Sequence, residues 1–105
     1  MRSMPRDFDL KKTDGLLHAP ARLAVMAMLA GGDELDFKLL RDRLDLTDGN
    51  LSSHLRKLEE AGYLRCAKGF LGRRPRSTYT IRAKGRAALS RHVAELERIV
   101  ASGRA

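Results

Sequence analysis

The sequence predicts a mainly α-helical domain with one small β-hairpin. Apolar residues recur at three- and four-residue steps along most of the 105-residue chain, and at two-residue steps only between residues 63 and 82. The length fits a single domain. With 43% hydrophobic and 32% charged residues the composition is globular, and no apolar run approaches the roughly 20 residues that cross a membrane.

The first half of the chain predicts two helices with a short extended segment between them. Helical spacing runs from residue 16 to residue 30, with Pro20 in the first turn, where its missing N–H costs nothing, and with glycines at the end. Residues 33–36 are too few for a helix and favour a short strand. Asp36 is a suitable N-cap for a second helix over Phe37 to Leu44.

A third helix follows after a tight connection. It runs from about Asp48 to Ala61, with Thr47 or Asp48 as its cap and Gly62 at its end. Its apolar side chains form one narrow stripe that consists of Leu51, Leu55 and Leu58. Every residue between them is polar, so one side of this helix is predicted to face solvent.

The remaining chain predicts a hairpin and then a long helix. Residues 63–67 and 77–82 are typical of strands, since the second of them is rich in β-branched and aromatic types. The segment 69–76 between them is predicted to be a basic loop, stiffened at its tip by Pro75. Ala83 to Ala101 forms a long amphipathic helix.

This order of elements is that of a winged helix-turn-helix, in which a three-helix core carries a β wing and is followed here by a long C-terminal helix. We therefore expect residues 1–15 to form a partly ordered N-terminal arm. Residues 16–82 would form the winged helix-turn-helix domain, and residues 83–105 the C-terminal dimerisation helix and tail.

The positive charge is confined to one part of the chain. The formal net charge is +8, yet residues 1–46 carry eight basic and eight acidic side chains. Residues 56–86 carry ten basic and two acidic side chains, which accounts for the whole excess. A localised excess of this kind indicates a polyanionic partner, although a merely solvated basic face is the simpler alternative.

Two sets of side chains are candidates for contacting double-stranded DNA. The third helix exposes groups that can hydrogen-bond to base edges or phosphates, namely Asn50, Ser52, Ser53, His54, Arg56 and Lys57. Gly49 lets the backbone at the start of this helix approach a ligand closely. The loop carries Arg73, Arg74 and Arg76, which suit the negative potential of a narrow minor groove.

The sequence gives little support to an enzyme. His18, His54 and His92 fall on different predicted helices, with no acidic residue at metal-ligand spacing. The single cysteine, Cys66, lies in a predicted strand, where it is expected to act as a small hydrophobic residue. We therefore expect no catalytic residue, no metal site and no cofactor.

The segment TDGNLSSHLRKLEEAGYL, followed by RRPRSTYTIRAKGRAAL, resembles winged-helix transcriptional regulators of the ArsR and MarR kind. The resemblance covers about residues 16–101. It implies a prokaryotic, cytoplasmic, homodimeric DNA-binding regulator that acts on promoters, expected to be a repressor. It also implies that the third helix reads the major groove while the wing touches the backbone or the minor groove.

The sequence departs from parts of that family. It has no Cys-x-Cys pair, so metal sensing by that route is not expected, and a single C-terminal helix makes a large ligand pocket doubtful. The small-molecule effector, if one exists, is not indicated.

Assembly is predicted from the C-terminal helix. Its apolar seam, suited to packing on a second helix, consists of Leu89, Val93, Leu96 and Val100. Part of this seam could instead pack on the first helix of the same chain. A protein–protein interaction module without specific DNA binding is the alternative function, and RNA binding is disfavoured by the small number of aromatic residues.

Overall fold

The computed structural model describes residues 14–103. Its elements in chain order are α1 (Pro20–Leu29), β1 (Leu35–Asp36), α2 (Phe37–Leu44), α3 (Asp48–Glu60), β2 (Leu64–Leu71), β3 (Arg74–Ile81) and α4 (Ala83–Ser102). Helices combined with a small three-stranded antiparallel sheet confirm the predicted winged-helix fold class. The predicted N-terminal arm lies outside the described residues except for Asp14 and Gly15.

α1 begins at Pro20, later than the helical spacing predicted, with the proline in its first turn. The residues before it form turns, because Asp14 Oδ1 accepts hydrogen bonds from the amides of Leu16 and Leu17 at 2.9 and 3.2 Å. Leu17 is fully buried although it is not helical. His18, which was predicted to be helical, lies in the same turns.

The helix-turn-helix forms as predicted, with α2 at its predicted bounds and α3 ending one residue earlier. Asp36 Oδ1 caps α2 by accepting from the Leu39 amide at 2.8 Å. Thr47 Oγ1 caps α3 by accepting from the Asn50 amide at 3.1 Å. Asp45 takes a left-handed conformation with φ 53°, which ends α2 and allows the sharp turn into α3.

The core lies between the first three helices, the base of the wing and the start of α4. Its buried members are Leu17, Val25, Met26, Leu29, Leu40, Leu51, Leu55, Leu58, Leu64, Tyr79 and Ala88. All three leucines of the α3 stripe belong to it, and burial of each stabilises the fold by about 1.5–3 kcal/mol. The side of α3 opposite this stripe is therefore held towards solvent.

The wing is longer and more regular than the sequence predicted. β2 and β3 pair over eight residues each, from Leu64 opposite Ile81 to Leu71 opposite Arg74, and the turn between them consists of Gly72 and Arg73 alone. The predicted loop over 69–76 is thus wrong, because most of it is strand. Gly72 has φ 65°, as a two-residue hairpin turn with glycine in its first position requires.

Pro75 is tolerated inside β3 because one edge of the strand is free there. The strand order is β1-β3-β2, but β1 pairs only with Thr78 and Tyr79. Beyond those residues no strand of residues 14–103 pairs with β3 on the β1 side, and a proline at such an edge removes no ladder hydrogen bond. Pro75 therefore lies within a strand and not at the tip of a loop.

α4 packs on the rest of the domain through a face formed by Gly85, Ala88, His92 and Glu95. The predicted dimerisation seam lies beside this face. Leu89 and Leu96 are half-buried, whereas Val93 and Val100 are 40% and 54% exposed.

Candidate nucleic-acid interface

The solvent side of α3 carries most of the predicted contact residues. Asn50, Ser52, Arg56 and Lys57 are exposed, and Ser53 is half-buried. Asn50, Ser53 and Lys57 follow one another at three- and four-residue steps, so they lie along one side of the helix. An amide, a hydroxyl and a cation in a row can together donate to base edges and phosphates.

Gly49 leaves the beginning of this surface bare. A Cβ added at Gly49 would meet no atom within 4 Å, so packing within the chain gives no reason for a glycine there. Glycine in a helix costs about 0.5–1 kcal/mol relative to alanine. A close approach of a ligand to the α3 backbone would explain why the cost is tolerated.

His54 does not share the outward side of α3. It is half-buried, and its Nδ1 lies 3.1 Å from Nη1 of Arg22 on α1. Burial, followed by the nearby cations Arg22 and Lys57, lowers the pKa of His54 below its usual value, which keeps the ring neutral. Because arginine only donates, Nδ1 accepts from Arg22 and Nε2 carries the proton. Sequence reasoning missed Arg22, since the contact joins residues far apart in the chain.

The wing arginines occupy two different positions. Arg73 lies in the two-residue turn and Arg74 begins β3, and both are exposed. Arg76 lies closer to the domain, with its Nε 3.3 Å from Asp36 Oδ2. Since Asp36 also caps α2, this ion pair connects the wing to the start of the helix-turn-helix.

Arg41 is a second basic residue that the sequence did not single out. Its Nη1 lies 2.8 Å from Asp48 Oδ1 and its Nε 3.2 Å from Asp42 Oδ1. The hydrogen bond to Asp48, which has the larger effect, and the hydrogen bond to Asp42 both raise the pKa of Arg41 above its usual value. Because Asp48 begins α3, this pair links the two helices of the helix-turn-helix across their turn.

The base of the wing is tied to α4 through Asp14. Tyr63 donates its hydroxyl to Asp14 Oδ2 at 2.5 Å, and the Asp14 amide donates to Nδ1 of His92 at 3.1 Å. Burial and this hydrogen bond raise the pKa of Tyr63 to about 12. Partial burial opposes ionisation of Asp14, but the hydrogen bonds from Tyr63 and from two backbone amides lower its pKa overall.

The ring of His92 is buried beside that of His18, with ring centroids 5.7 Å apart in an edge-to-face arrangement. Burial, and next the neighbouring His18, lower the pKa of His92, although Asp14 acts in the opposite sense. Within residues 14–103 no group of three or more metal-ligating side chains converges on one point. No helix in this part of the chain is long and apolar enough to cross a membrane.

Comparison with known proteins agrees with this geometry. Residues 21–100 match the family model of a winged helix DNA-binding domain. The chain is 35% identical over 81 residues to the uncharacterized protein MJ0432 of Methanocaldococcus jannaschii, covering 77% of this chain and 88% of that protein.

Two solved structures extend the comparison. A transcriptional regulator homologue from Pyrococcus horikoshii superimposes with a TM-score of 0.75 at 32% identity, over 82% of this chain and 85% of that one. The zinc-responsive MarR family member ZitR of Lactococcus lactis has a TM-score of 0.61 at 12% identity, over 99% of this chain and 65% of that one, and so shares the fold.

A helix-turn-helix with an exposed polar second helix and a basic wing defines a winged-helix DNA-binding protein. The chain belongs to the winged helix DNA-binding domain family, whose fold is that of transcriptional regulators rather than of enzymes. The predicted resemblance to winged-helix DNA-binding regulators is confirmed.

Proposed function

We propose that this chain is a sequence-specific regulator of transcription that binds double-stranded DNA as a homodimer and represses the promoters it occupies. The observation that carries the proposal is the pairing of an outward polar side on α3 with a regular wing that has no acidic residue between Leu64 and Ile81. Both belong to the part of the chain that holds the whole excess of positive charge.

α3 would lie in the major groove. Asn50 can pair with adenine through two hydrogen bonds, while Ser53 can donate to a base edge. Ser52, Arg56 and Lys57 would contact phosphates or guanine. His54, held against Arg22, has only its Nε2–H available, and this group suits a phosphate oxygen better than a base.

The wing would contact the DNA backbone or the minor groove through its arginines. Arg73 and Arg74 are exposed at the tip and would reach phosphates, since neither forms an ion pair with a residue in the range 14–103. Arg76 would act mainly by fixing the wing against α2 through Asp36.

A homodimer would double the recognition surface. One α3 and one wing cover a single half-site, which rarely supplies enough affinity and specificity alone. The exposed Val93 and Val100, with the half-buried Leu89 and Leu96, form an apolar seam along α4 that a second α4 could cover. Two-fold symmetry would set the recognition helices about 34 Å apart, the separation of successive major grooves. A dimer bound at a promoter would repress it by occlusion, which requires no contact with a further protein.

The test is to select bound duplexes from a random pool and to measure affinity at about 50 and about 200 mM salt. We expect a steep loss of affinity with salt, with a logarithmic slope that falls by about 1 in the Arg74→Ala variant. Arg65→Ala, which removes an exposed β2 cation close to the core, serves as a matched control. Binding that is indifferent to salt would instead favour a protein–protein interaction module.

A further inference from the structure

Two apolar side chains at the tip of the wing are not explained by the fold. Phe70 is 74% exposed and Leu71 is 63% exposed, the largest values among the bulky apolar side chains of the described residues. They are adjacent in β2, so they point to opposite faces of the hairpin. The tip is thus apolar on both faces.

Packing within the hairpin does not account for them. Phe70 lies opposite Pro75 and Leu71 lies opposite Arg74. A contact between Phe70 and Pro75 would stabilise the turn, but it leaves about three quarters of the Phe70 side chain accessible to water. Within residues 14–103, therefore, no side chain covers the Phe70 ring.

The surroundings of the tip indicate what kind of partner would cover it. Between Leu64 and Ile81 the chain has five basic side chains and no acidic one, and Lys68, Arg73 and Arg74 near the tip are all exposed. An apolar tip framed by cations matches a ligand that offers a phosphate rim around stacked bases. The minor groove of a duplex is such a ligand, because phosphates line both of its walls and apolar side chains can insert between its stacked bases.

The wing is long enough to enter such a groove. The hairpin is held to the domain as far as Thr78, which is buried, pairs with Asp36 of β1 and lies opposite Ala67. Four further residues of β2 lead from Ala67 to Leu71, a length of about 13 Å at ~3.3 Å per residue. Leu71 borders a cleft beside the start of α2, whereas Phe70 lies on the other face of the hairpin. The minor groove of B-DNA is only about 6 Å wide, so a two-stranded ribbon can enter with its side chains only where the groove opens.

We infer that the wing tip inserts Phe70 and Leu71 into the minor groove beside the half-site and partly unstacks one base step, which opens the groove and bends the DNA. This inference rests on the proposed DNA binding. Pyrimidine–purine steps such as TA unstack most easily, so the wing selects them without any hydrogen bond to a base. The apolar tip thereby adds specificity at a position where the arginines add only affinity.

The experiment uses the full-length protein and a duplex selected from a random pool, in two versions that differ at the step facing the wing. One version carries TA and the other AA. We expect Phe70→Ala to lower affinity for the TA duplex about ten-fold and for the AA duplex much less. Because Phe70 is exposed, its truncation should leave the melting temperature unchanged.

Three further measurements distinguish the effect of the apolar tip on DNA binding from the effect of the cations. Phe70→Leu should restore most of the affinity, and energy transfer between dyes on the two DNA ends should show a bend that Phe70→Ala reduces. Lys68→Ala, two residues away on the same strand face, should lower the salt slope but keep the preference for TA. Phe70→Ala should keep the salt slope but lower the preference for TA.

Equal affinities of the wild type for TA and AA, or an equal loss on both duplexes in Phe70→Ala, would overturn the inference while leaving the proposed DNA binding intact. Failure of the wild type to bind any selected duplex would overturn both.

Discussion

Two helical glycines provide a sharp test of the packing that orients α4. Replacement with alanine should lower the stability of the protein at one of them and raise it at the other. Gly85 lies in the first turn of α4 and Gly49 in the first turn of α3. A Cβ added at Gly85 would overlap the carbonyl oxygen of Tyr63 and lie 2.8 Å from both the Tyr63 carbonyl carbon and Met26 Cε. Unstrained carbon atoms approach to about 3.5–4.0 Å.

The obstacle at Gly85 cannot move easily. The Met26 methyl group is flexible, but the Tyr63 carbonyl is held by a 2.9 Å hydrogen bond from the Arg82 amide. Overpacking against such a group costs about 1–3 kcal/mol, and helix propensity returns about 0.5–1 kcal/mol. Because the new Cβ would overlap a held backbone atom, the cost lies at the upper end of its range, and we expect Gly85→Ala to destabilise the protein by about 2 kcal/mol, or by more if the hydrogen bond breaks.

Gly49→Ala is the matched control, because its new Cβ meets open space. It should raise the free energy of unfolding by about 0.5–1 kcal/mol. Thermal unfolding followed by circular dichroism measures both variants, and each kcal/mol corresponds to about 4–8 °C in a domain of this size. Gly85→Ala with wild-type or higher stability would show that α4 does not pack on the Tyr63 backbone as described. The stabilised Gly49→Ala should nevertheless bind the selected duplex more weakly, if DNA approaches the α3 backbone there.

Three further predictions concern the interface, the assembly and the Asp14 anchor. Asn50→Ala should cost about 1–3 kcal/mol on a selected duplex and much less on random DNA, measured by fluorescence anisotropy; equal losses would make Asn50 a backbone contact. Replacing both Leu96 and Val100 with Glu should give a folded protein of monomer mass by light scattering, with much weaker DNA binding. A dimer that persists would show that the seam is not the dimer interface. Tyr63→Phe should cost about 1 kcal/mol at neutral pH. Since the pKa of folded Asp14 is lowered, that stabilisation is present above its usual value of 3.8 and is lost as the pH falls below it. The deficit of Tyr63→Phe in chemical denaturation should therefore shrink towards acid pH, and a constant deficit would contradict the assignment.

The helix-turn-helix could be predicted closely because its determinants are local. The caps Asp36 and Thr47 each bind an amide three residues ahead, and the leucine stripe of α3 repeats within three or four residues. Such short-range patterns are visible in the sequence. For the same reason the exposed side of α3, with Asn50 and Lys57, followed directly from the buried stripe.

The errors arose where distant residues decide the structure. The wing was predicted to end in a long loop because Gly69 and Pro75 are typical of turns, yet the free edge of β3 accommodates the proline. His54 was grouped with the outward residues, but its partner Arg22 lies on α1. No periodicity within α3 reveals a contact of that kind.

The wing arginines illustrate how the two kinds of information combine. From sequence they form one basic cluster, but the structure divides them by what each contacts. Arg76 pairs with Asp36, the same carboxylate that caps α2, so it fixes the angle between the wing and the helix-turn-helix. Arg73 and Arg74 lie closer to the tip than this ion pair, and they could bind phosphates without breaking a contact that stabilises the fold. Because the Arg76–Asp36 ion pair is half-exposed, it contributes little to stability, and its main effect is to orient the wing. In the proposed complex, a wing aimed in this way would present its cations and its apolar tip to the DNA together with α3.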